Sequence, residues 1–288
     1  MIIVMQPQAA AEAIEQVVQY LHKAGLREHI SVGAERVIIG AVGDERVLDA
    51  RVLEQLPQVE RAVRIVHDWR IISREAQPND SVYVSFGVFL GQELLNLDIK
   101  RPENSAVAYL DPFYIPHSPY QAQTTISETQ LSRQLVEQVA SWHQQYKPVM
   151  VRVRDLRQLD DVLAAQADMI YVGGEWLESR VMHQEIGRLN VPVVVCKDKH
   201  HTLEQWLVAA ERVAMHGNHQ LILGEAGTLN IQSKQSYRLD IEAIAQAVKY
   251  THLPVLANVT RLGYGVLSQA QLGQLAAVAG AKMVLQDA

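Results

Sequence analysis

The hydrophobic rhythm of the chain changes near residue 80. Before that point the apolar blocks are short and mixed. Ile2–Met5 reads as a strand, and Ala9–Ala24 carries Ile14, Val17, Val18 and Leu21 at helical spacing. Ile30–Val32 and Arg36–Val42 read as two short strands, Asp49–Leu56 as a helix and Val59–Val66 as a closing strand. The order βαββαβ is that of a ferredoxin-like split βαβ unit, which places a small α+β domain over residues 1–67. Asp68–Asp80 is polar, contains Pro78 and is expected to act as a linker over 68–80.

Beyond it, Val82–Phe86 and Val88–Leu90 flank Gly87 as a short hairpin. Apolar strand-like runs then alternate with amphipathic helices. Strands are expected at Leu94–Ile99, Ala106–Leu110, Val149–Val153, Met169–Val172, Pro192–Cys196, Gln220–Leu223, Pro254–Asn258 and Met283–Leu285. Helices fit Glu128–Tyr146, Leu156–Ala165, Ser179–Leu189, Leu203–His216, Ile241–His252 and Gln269–Ala279; in the fourth of these, Leu203, Trp206, Leu207, Ala210 and Val213 share one face. Eight strands in βα alternation argue for a (β/α)8 TIM-type barrel over residues 81–288. Arg101–Ser105 is too short for a crossover helix, and the sequence stops soon after the last strand. The barrel is therefore expected to lack helices 1 and 8.

Composition narrows the class. The chain has 288 residues, 48% hydrophobic and 20% charged, enough apolar material for a sizeable core. A net charge of −6 argues against nucleic acid as a partner. The single cysteine, Cys196, excludes an intrachain disulfide and a polycysteine metal site. No apolar run is long enough for a membrane span, and the start lacks the basic flank of a signal peptide. A cytoplasmic protein without a membrane partner is expected.

Several segments resemble the bacterial type I 3-deoxy-D-arabino-heptulosonate-7-phosphate (DAHP) synthases that carry an N-terminal ferredoxin-like domain. Met1-Ile-Ile-Val-Met5, Gly43-Asp44-Glu45-Arg46 and Ser73-Arg74-Glu75 look like that family's leading domain and linker. Ser118-Pro119-Tyr120, Ala167-Asp168, Thr202–Trp206 with Ala209-Ala210-Glu211, Gly217-Asn218, Leu239-Asp240 and Thr251-His252-Leu253-Pro254-Val255 continue the resemblance through the barrel. The order and spacing of these pieces carry it, rather than any one of them. The resemblance implies condensation of phosphoenolpyruvate with erythrose 4-phosphate at the barrel mouth, assisted by a divalent metal.

Position by position, the residues that the family uses are replaced. Lys100 stands for the metal cysteine and Arg261 for the metal histidine, while Asp287 is a shortened equivalent of the glutamate on strand eight. Among the anion-binding positions, Tyr114 and Pro116 replace a lysine and an arginine, Glu175 an arginine, Cys196 a lysine, and Ala226 and Leu229 two arginines; Lys197 keeps only the neighbouring charge. Each charged hydrogen bond to a phosphate contributes roughly 1.5–3 kcal/mol, so several lost together remove most of the affinity. These equivalents imply no catalytic set, no bound metal and no cofactor.

Individual residues admit other uses. Cys196 lies at the mouth end of a strand and would be a nucleophile if Lys197 or Lys199 lowered its pKa and His200 or His201 acted as base, or else a small residue filling a lost lysine's space. His200-His201 with Cys196 suggests a metal site, or else a solvated loop, since adjacent side chains usually diverge. Arg152, Arg154, Asp155, Glu175, Asp198 and Glu225 lie near strand ends, either as self-neutralising pairs or as a new anion site; Arg152, Glu175, Cys196, Lys197 and Glu225 would line such a residual pocket. Trp176 either stacks on a ligand or packs over the mouth.

The preferred reading is a DAHP-synthase-like pseudoenzyme with a regulatory or binding role linked to shikimate-pathway aromatic biosynthesis. The alternatives are a DAHP synthase active through unrecognised substitutions, and a barrel rebuilt around Cys196. Partners would be a genuine DAHP synthase, a small molecule or a second copy of the chain. For the last, strand one is expected to turn Asn96 and Asp98 inward and Leu95, Leu97 and Ile99 outward, joined by Val284 on a flank left bare by the missing helices. Such a patch favours a homodimer through strands one and eight.

Overall fold

The computed structural model describes residues 1–32, 36–64, 68–77, 82–114, 120, 127–230, 237–262 and 266–287. The N-terminal unit contains β1 (Ile2–Met5), α1 (Ala11–Lys23), β2 (Arg27–Val32), β3 (Val37–Val42), α2 (Ala50–Leu53) and β4 (Val59–Val63). Its sheet runs β2-β3-β1-β4 with antiparallel neighbours, the ferredoxin-like order. Alternation along β1 turns Ile3 and Met5 towards Val17 and Leu21 of α1, while Ile2 and Val4 pack on the other face with Ile38 and Ala76. The chain turns out of α1 at Gly25, whose φ of 77° is open to a residue without Cβ.

The hairpin follows as β5 (Val82–Tyr83) and β6 (Phe89–Leu90). Then come β7 (Leu95–Asp98), β8 (Ala108–Leu110), α3 (Glu128–His143), β9 (Val149–Val153), α4 (Leu159–Ala164), β10 (Met169–Val172) and α5 (Arg180–Gly187). The barrel continues with β11 (Val193–Lys199), α6 (Leu203–Met215), β12 (Leu221–Leu229), β13 (Tyr237–Arg238), α7 (Ile241–Tyr250), β14 (Val255–Asn258), α8 (Gln269–Val278) and β15 (Met283–Gln286). The parallel path β7-β15-β14-β12-β11-β10-β9-β8 is a nearly closed barrel, and among the described residues no ladder joins β7 to β8. Strands β11 and β12 run several residues beyond the expected ends, and β13, not expected, pairs antiparallel with the extension of β12. A single turn, Pro102–Asn104, takes the place of helix 1; Lys147 Nζ donates to its Pro102 carbonyl at 2.6 Å. Among the described residues, no helix follows β15.

Two apolar layers hold the barrel. Outside, residues such as Val151, Ile170, Val195 and Leu223 meet Leu135, Met182, Trp206, Leu207 and Ile244 of the helices. Inside, Met150, Val194, Ile222, Leu256, Met283 and Leu285 fill the axis, joined by Val82 and Leu90 of the hairpin.

The first strand corrects the expected register. In the parallel ladder of β7 with β15, Leu95 stands opposite Met283 and Leu97 opposite Leu285. Partners across a ladder share a face, and both β15 partners are interior. Leu97 therefore points into the barrel, 1% exposed, with Leu95 and Ile99 packed on the same cluster and Asn96 outside. Val284 does point outward, but α8 covers it: a Cβ on Gly273 would stand 2.9 Å from Val284 Cγ1. Among the described residues these positions leave no bare aliphatic flank, and a dimer through strands one and eight loses that support.

Residues 68–77, expected as a linker, are held against the barrel. The amides of Ile71 and Ile72 donate to the two carboxylate oxygens of Glu211 on α6, at 2.9 and 3.1 Å. Arg74 Nη2 donates to the Val248 carbonyl at 2.7 Å, and Ser73 bridges to Thr251.

Candidate functional site

Alternation along the strands decides what faces the mouth. Met150, Tyr171, Val194 and Leu256 are interior, so Arg152, Cys196 and Asn258, each two residues further along its strand, turn inward as well. They converge on Tyr171. Its hydroxyl donates to Cys196 Sγ at 2.9 Å and accepts from Asn258 Nδ2 at 3.0 Å. The Arg152 guanidinium lies over the Tyr171 ring, 5.4 Å from its centroid, and bonds both Glu175 oxygens at 2.9 and 3.3 Å. Tyr109 meets Tyr171 edge-on at 5.8 Å. Gly173 makes room for the ion pair, because a Cβ there would stand 2.6 Å from Arg152 Nη2.

Burial pushes the Tyr171 hydroxyl well above its usual range, with the nearby Cys196 adding to the effect, so it remains a donor. Burial also pushes Glu175 up, but Arg152 outweighs it and the net shift is downward. Glu175 is ionised and committed to Arg152.

A second group lies on the opposite side of β11. Lys197 turns away from the axis, its Nζ 3.1 Å from Asp240 Oδ2 and 3.5 Å from Glu225 Oε1. Asp240 caps α7 by accepting from the Ala243 amide, and Glu225 accepts from the Gly227 amide at 2.8 Å. Lys197 is 1% exposed and Glu225 0%. Burial lifts the Glu225 carboxyl to about 7 against the pull of Lys197. The five residues of the expected residual pocket are thus divided: Arg152, Glu175 and Cys196 on the mouth side, Lys197 and Glu225 between the barrel wall and α7.

The remaining positions are scattered. Lys100 is exposed, its amide held by Asp98 Oδ1. Asp287 is bonded through its carboxylate and its amide to Gln269, and Arg261 follows Thr260 in the loop after β14. Ala226 packs with the interior cluster, while Leu229 is exposed. Tyr114 lies under the Arg154 guanidinium, which bonds Asp111. Pro116 and the Asp198 side chain lie outside the described residues. Asp155 caps the turn that precedes α4 and pairs with Arg157. Trp176 Nε1 donates to the Arg154 carbonyl at 2.9 Å, a packing role. His200 and His201 do not diverge as expected: their ring centroids are 4.5 Å apart and His201 is buried. Tyr171, Asn258, Asp240 and Asp111 were not among the residues expected at the site. The inward polar positions of β10 and β14 were a usable signal for the first two.

A model of the DAHP synthase ferredoxin-like domain matches residues 1–67, and a model of the DAHP synthetase I family matches residues 112–263. The chain belongs to the DAHP synthetase I family. It is 30% identical over 282 residues to phospho-2-dehydro-3-deoxyheptonate aldolase of Thermotoga maritima, covering 91% of this chain and 81% of that protein. The crystal structure of the Thermotoga maritima DAHP synthase superposes with a TM-score of 0.65 at 25% identity, over 99% of this chain and 87% of that one. A truncated form of that organism's enzyme shares the fold, with a TM-score of 0.62 at 21% identity over 76% of this chain and 84% of its own.

The divalent metal that the family implies finds no fitting set at the assigned positions. Lys100 and Arg261 offer ammonium and guanidinium groups, which have no lone pair to donate, and the Asp287 carboxylate is engaged by Gln269. As for location, no helix among the described residues is long and apolar enough to cross a membrane.

Proposed function

We propose that this member of the DAHP synthase family does not condense phosphoenolpyruvate with erythrose 4-phosphate and acts by binding, in a regulatory role linked to aromatic biosynthesis. The observation that carries the reading is the Arg152–Glu175 pair. The cation best placed to receive an anionic substrate is 6% exposed and already holds the Glu175 carboxylate at 2.9 Å. An incoming phosphate would have to compete with that carboxylate for the guanidinium, at a cost that solvent screening of the 38% exposed Glu175 side chain keeps modest. Arg154 and Lys197 are likewise paired, with Asp111 and with Asp240 and Glu225. Cys196 is buried and accepts a hydrogen bond from a protonated phenol, which does not favour chemistry rebuilt around its thiol.

Purified protein given both substrates and Mn2+ should form no DAHP above a heat-killed blank. Cys196→Lys should not restore it, because catalytic groups acting as a unit are strongly non-additive. Enzyme-dependent turnover in the wild type would overturn the proposal and establish a synthase with a substituted site. The binding partner would be a genuine DAHP synthase, a small molecule or a second copy. Thermal shifts with aromatic amino acids and sugar phosphates, and co-elution with a catalytically competent synthase, separate these.

A further inference from the structure

The loop after β11 gathers three ligand-type side chains that neither the Tyr171 group nor the Lys197 group uses. A ring nitrogen from each of His200 and His201 and a carboxylate oxygen of Glu178 all lie within 4.8 Å of one another. We propose that these residues form a binding site for a borderline divalent transition-metal cation, Zn2+, Ni2+ or Co2+, on the rim of the barrel. The site is separate from the positions at which the family resemblance places a metal, and it does not depend on whether the protein is a catalyst.

The backbone explains why two neighbouring rings face one point. In a regular strand, adjacent side chains project to opposite faces. Here the register of β11 against β12 shifts between Lys197 and Lys199, and Lys199 takes a left-handed φ of 51°. Thr228 Oγ1 fixes this bend by donating to the Lys199 carbonyl at 2.9 Å. A bulge of this kind breaks the alternation and re-aims the side chains beyond it. His201 is then anchored by burial directly before Thr202, whose hydroxyl caps α6. The two rings come to lie 4.5 Å apart at 40°.

Glu178 approaches from the loop before α5, and Gln205 on α6 orients it by donating to Oε1 at 3.4 Å. Glu178 and His200 are exposed, so small rotamer changes can bring the ligand atoms to the roughly 3.3 Å mutual spacing implied by metal bonds of about 2.0–2.1 Å. Two imidazoles and one carboxylate select borderline cations, whereas Mg2+ and Ca2+ require shells dominated by oxygen. Three protein ligands leave further coordination positions to water.

The test uses the full chain without an affinity tag, dialysed against Co2+ at neutral pH. Bound Co2+ is expected near one ion per chain, with visible ligand-field bands, and Mg2+ in excess should not displace it. His200→Ala and Glu178→Gln, both exposed and therefore expected to fold, should each weaken binding by about tenfold or more. His22→Ala, in the last turn of α1 in the N-terminal unit, should leave it unchanged. Absence of retained Co2+ in the wild type would overturn the proposal. So would Co2+ held equally well by His200→Ala and Glu178→Gln, because the ion would then sit elsewhere.

Discussion

Cys196 and Lys197 are neighbours in sequence and belong to two different kinds of interior. On the axial side, Cys196, Tyr171, Asn258 and Arg152 are joined by neutral hydrogen bonds, an aromatic contact and one ion pair whose carboxylate partner reaches the solvent edge. On the other side, buried Lys197 and Glu225 and half-buried Asp240 place charges between the wall and α7. The axial group uses most of its polar capacity on itself, Arg152 through Nη2 on Glu175, while Arg152 Nε is buried without a hydrogen-bond partner among the described residues. The outer group fastens the N-terminus of α7 to two strands. A lysine at the mouth end of a barrel strand invites a catalytic reading, and here its surroundings make it a structural strut.

The largest effect that distinguishes the two groups should come from Lys197→Met. It leaves Glu225 buried without its cation and should cost about 3–5 kcal/mol at pH 8, read from urea midpoints. At pH 5 the loss should shrink, because the Glu225 carboxyl can take up a proton. The double variant Lys197→Met/Glu225→Leu should recover most of the stability. A loss at pH 8 smaller than that caused by Cys196→Ala would break the comparison.

The next effect is a tilt of the stability profile with pH. The Glu225 pKa is raised from 4.5 to about 7 by burial, so its contribution is full below pH 4.5 and is lost as pH rises through 7. His183, buried on α5, is lowered from 6.5 to about 4 by burial, then by Arg212 and His216; its contribution is full above pH 6.5 and is lost as pH falls through 4. Each spans on the order of 3 kcal/mol at 1.36 kcal/mol per pH unit, in opposite directions over overlapping windows. Relative to wild type, Glu225→Gln should tilt the profile towards greater stability at neutral pH, and His183→Leu towards greater stability at acid pH. Parallel profiles for all three proteins would remove the assigned charge states.

Smaller effects belong to the axial group. Cys196→Ala removes a small buried side chain and the acceptor of the Tyr171 hydroxyl, and should cost about 1–2 kcal/mol. Glu175→Gln should cost about 1 kcal/mol or less once solvent screening of its exposed side is counted. That variant sharpens the functional reading. With Arg152 released, phosphoenolpyruvate or inorganic phosphate should raise the melting temperature of the variant and not of the wild type. Equal shifts in both would show that Glu175 does not block the anion position.

Much of the architecture was legible along the chain. Of the α6 face predicted from Leu203, Trp206, Leu207, Ala210 and Val213, the last four are buried and Leu203 partly so, and the βαββαβ order and the missing first helix are as the sequence suggested. Less of the site was legible. Arg152, Glu175 and Cys196 could be named from their places at strand ends, but Tyr171, the residue that links them, looked like one more apolar position. The grouping of Lys197 and Glu225 with the mouth residues followed from their places near strand ends, which carry no information about the side of the wall.

What the sequence determined by itself was periodicity: which stretches are strands or helices, their order, and which residue types stand at the strand ends. Periodicity states that alternate residues face opposite ways; it does not state which set faces in. Tertiary structure decided that sign. Leu97 is interior because its ladder partner Leu285 is, and Lys197 is exterior because Val194 and Cys196 fill the axis. It also decided where alternation fails: the register shift before Lys199 turns His200 and His201 to one side, a consequence of pairing with β12 that local sequence cannot encode. The physical reason is common to all three cases. The pattern within a strand is set by its own backbone geometry, whereas its face and register are set by the neighbours that bury it.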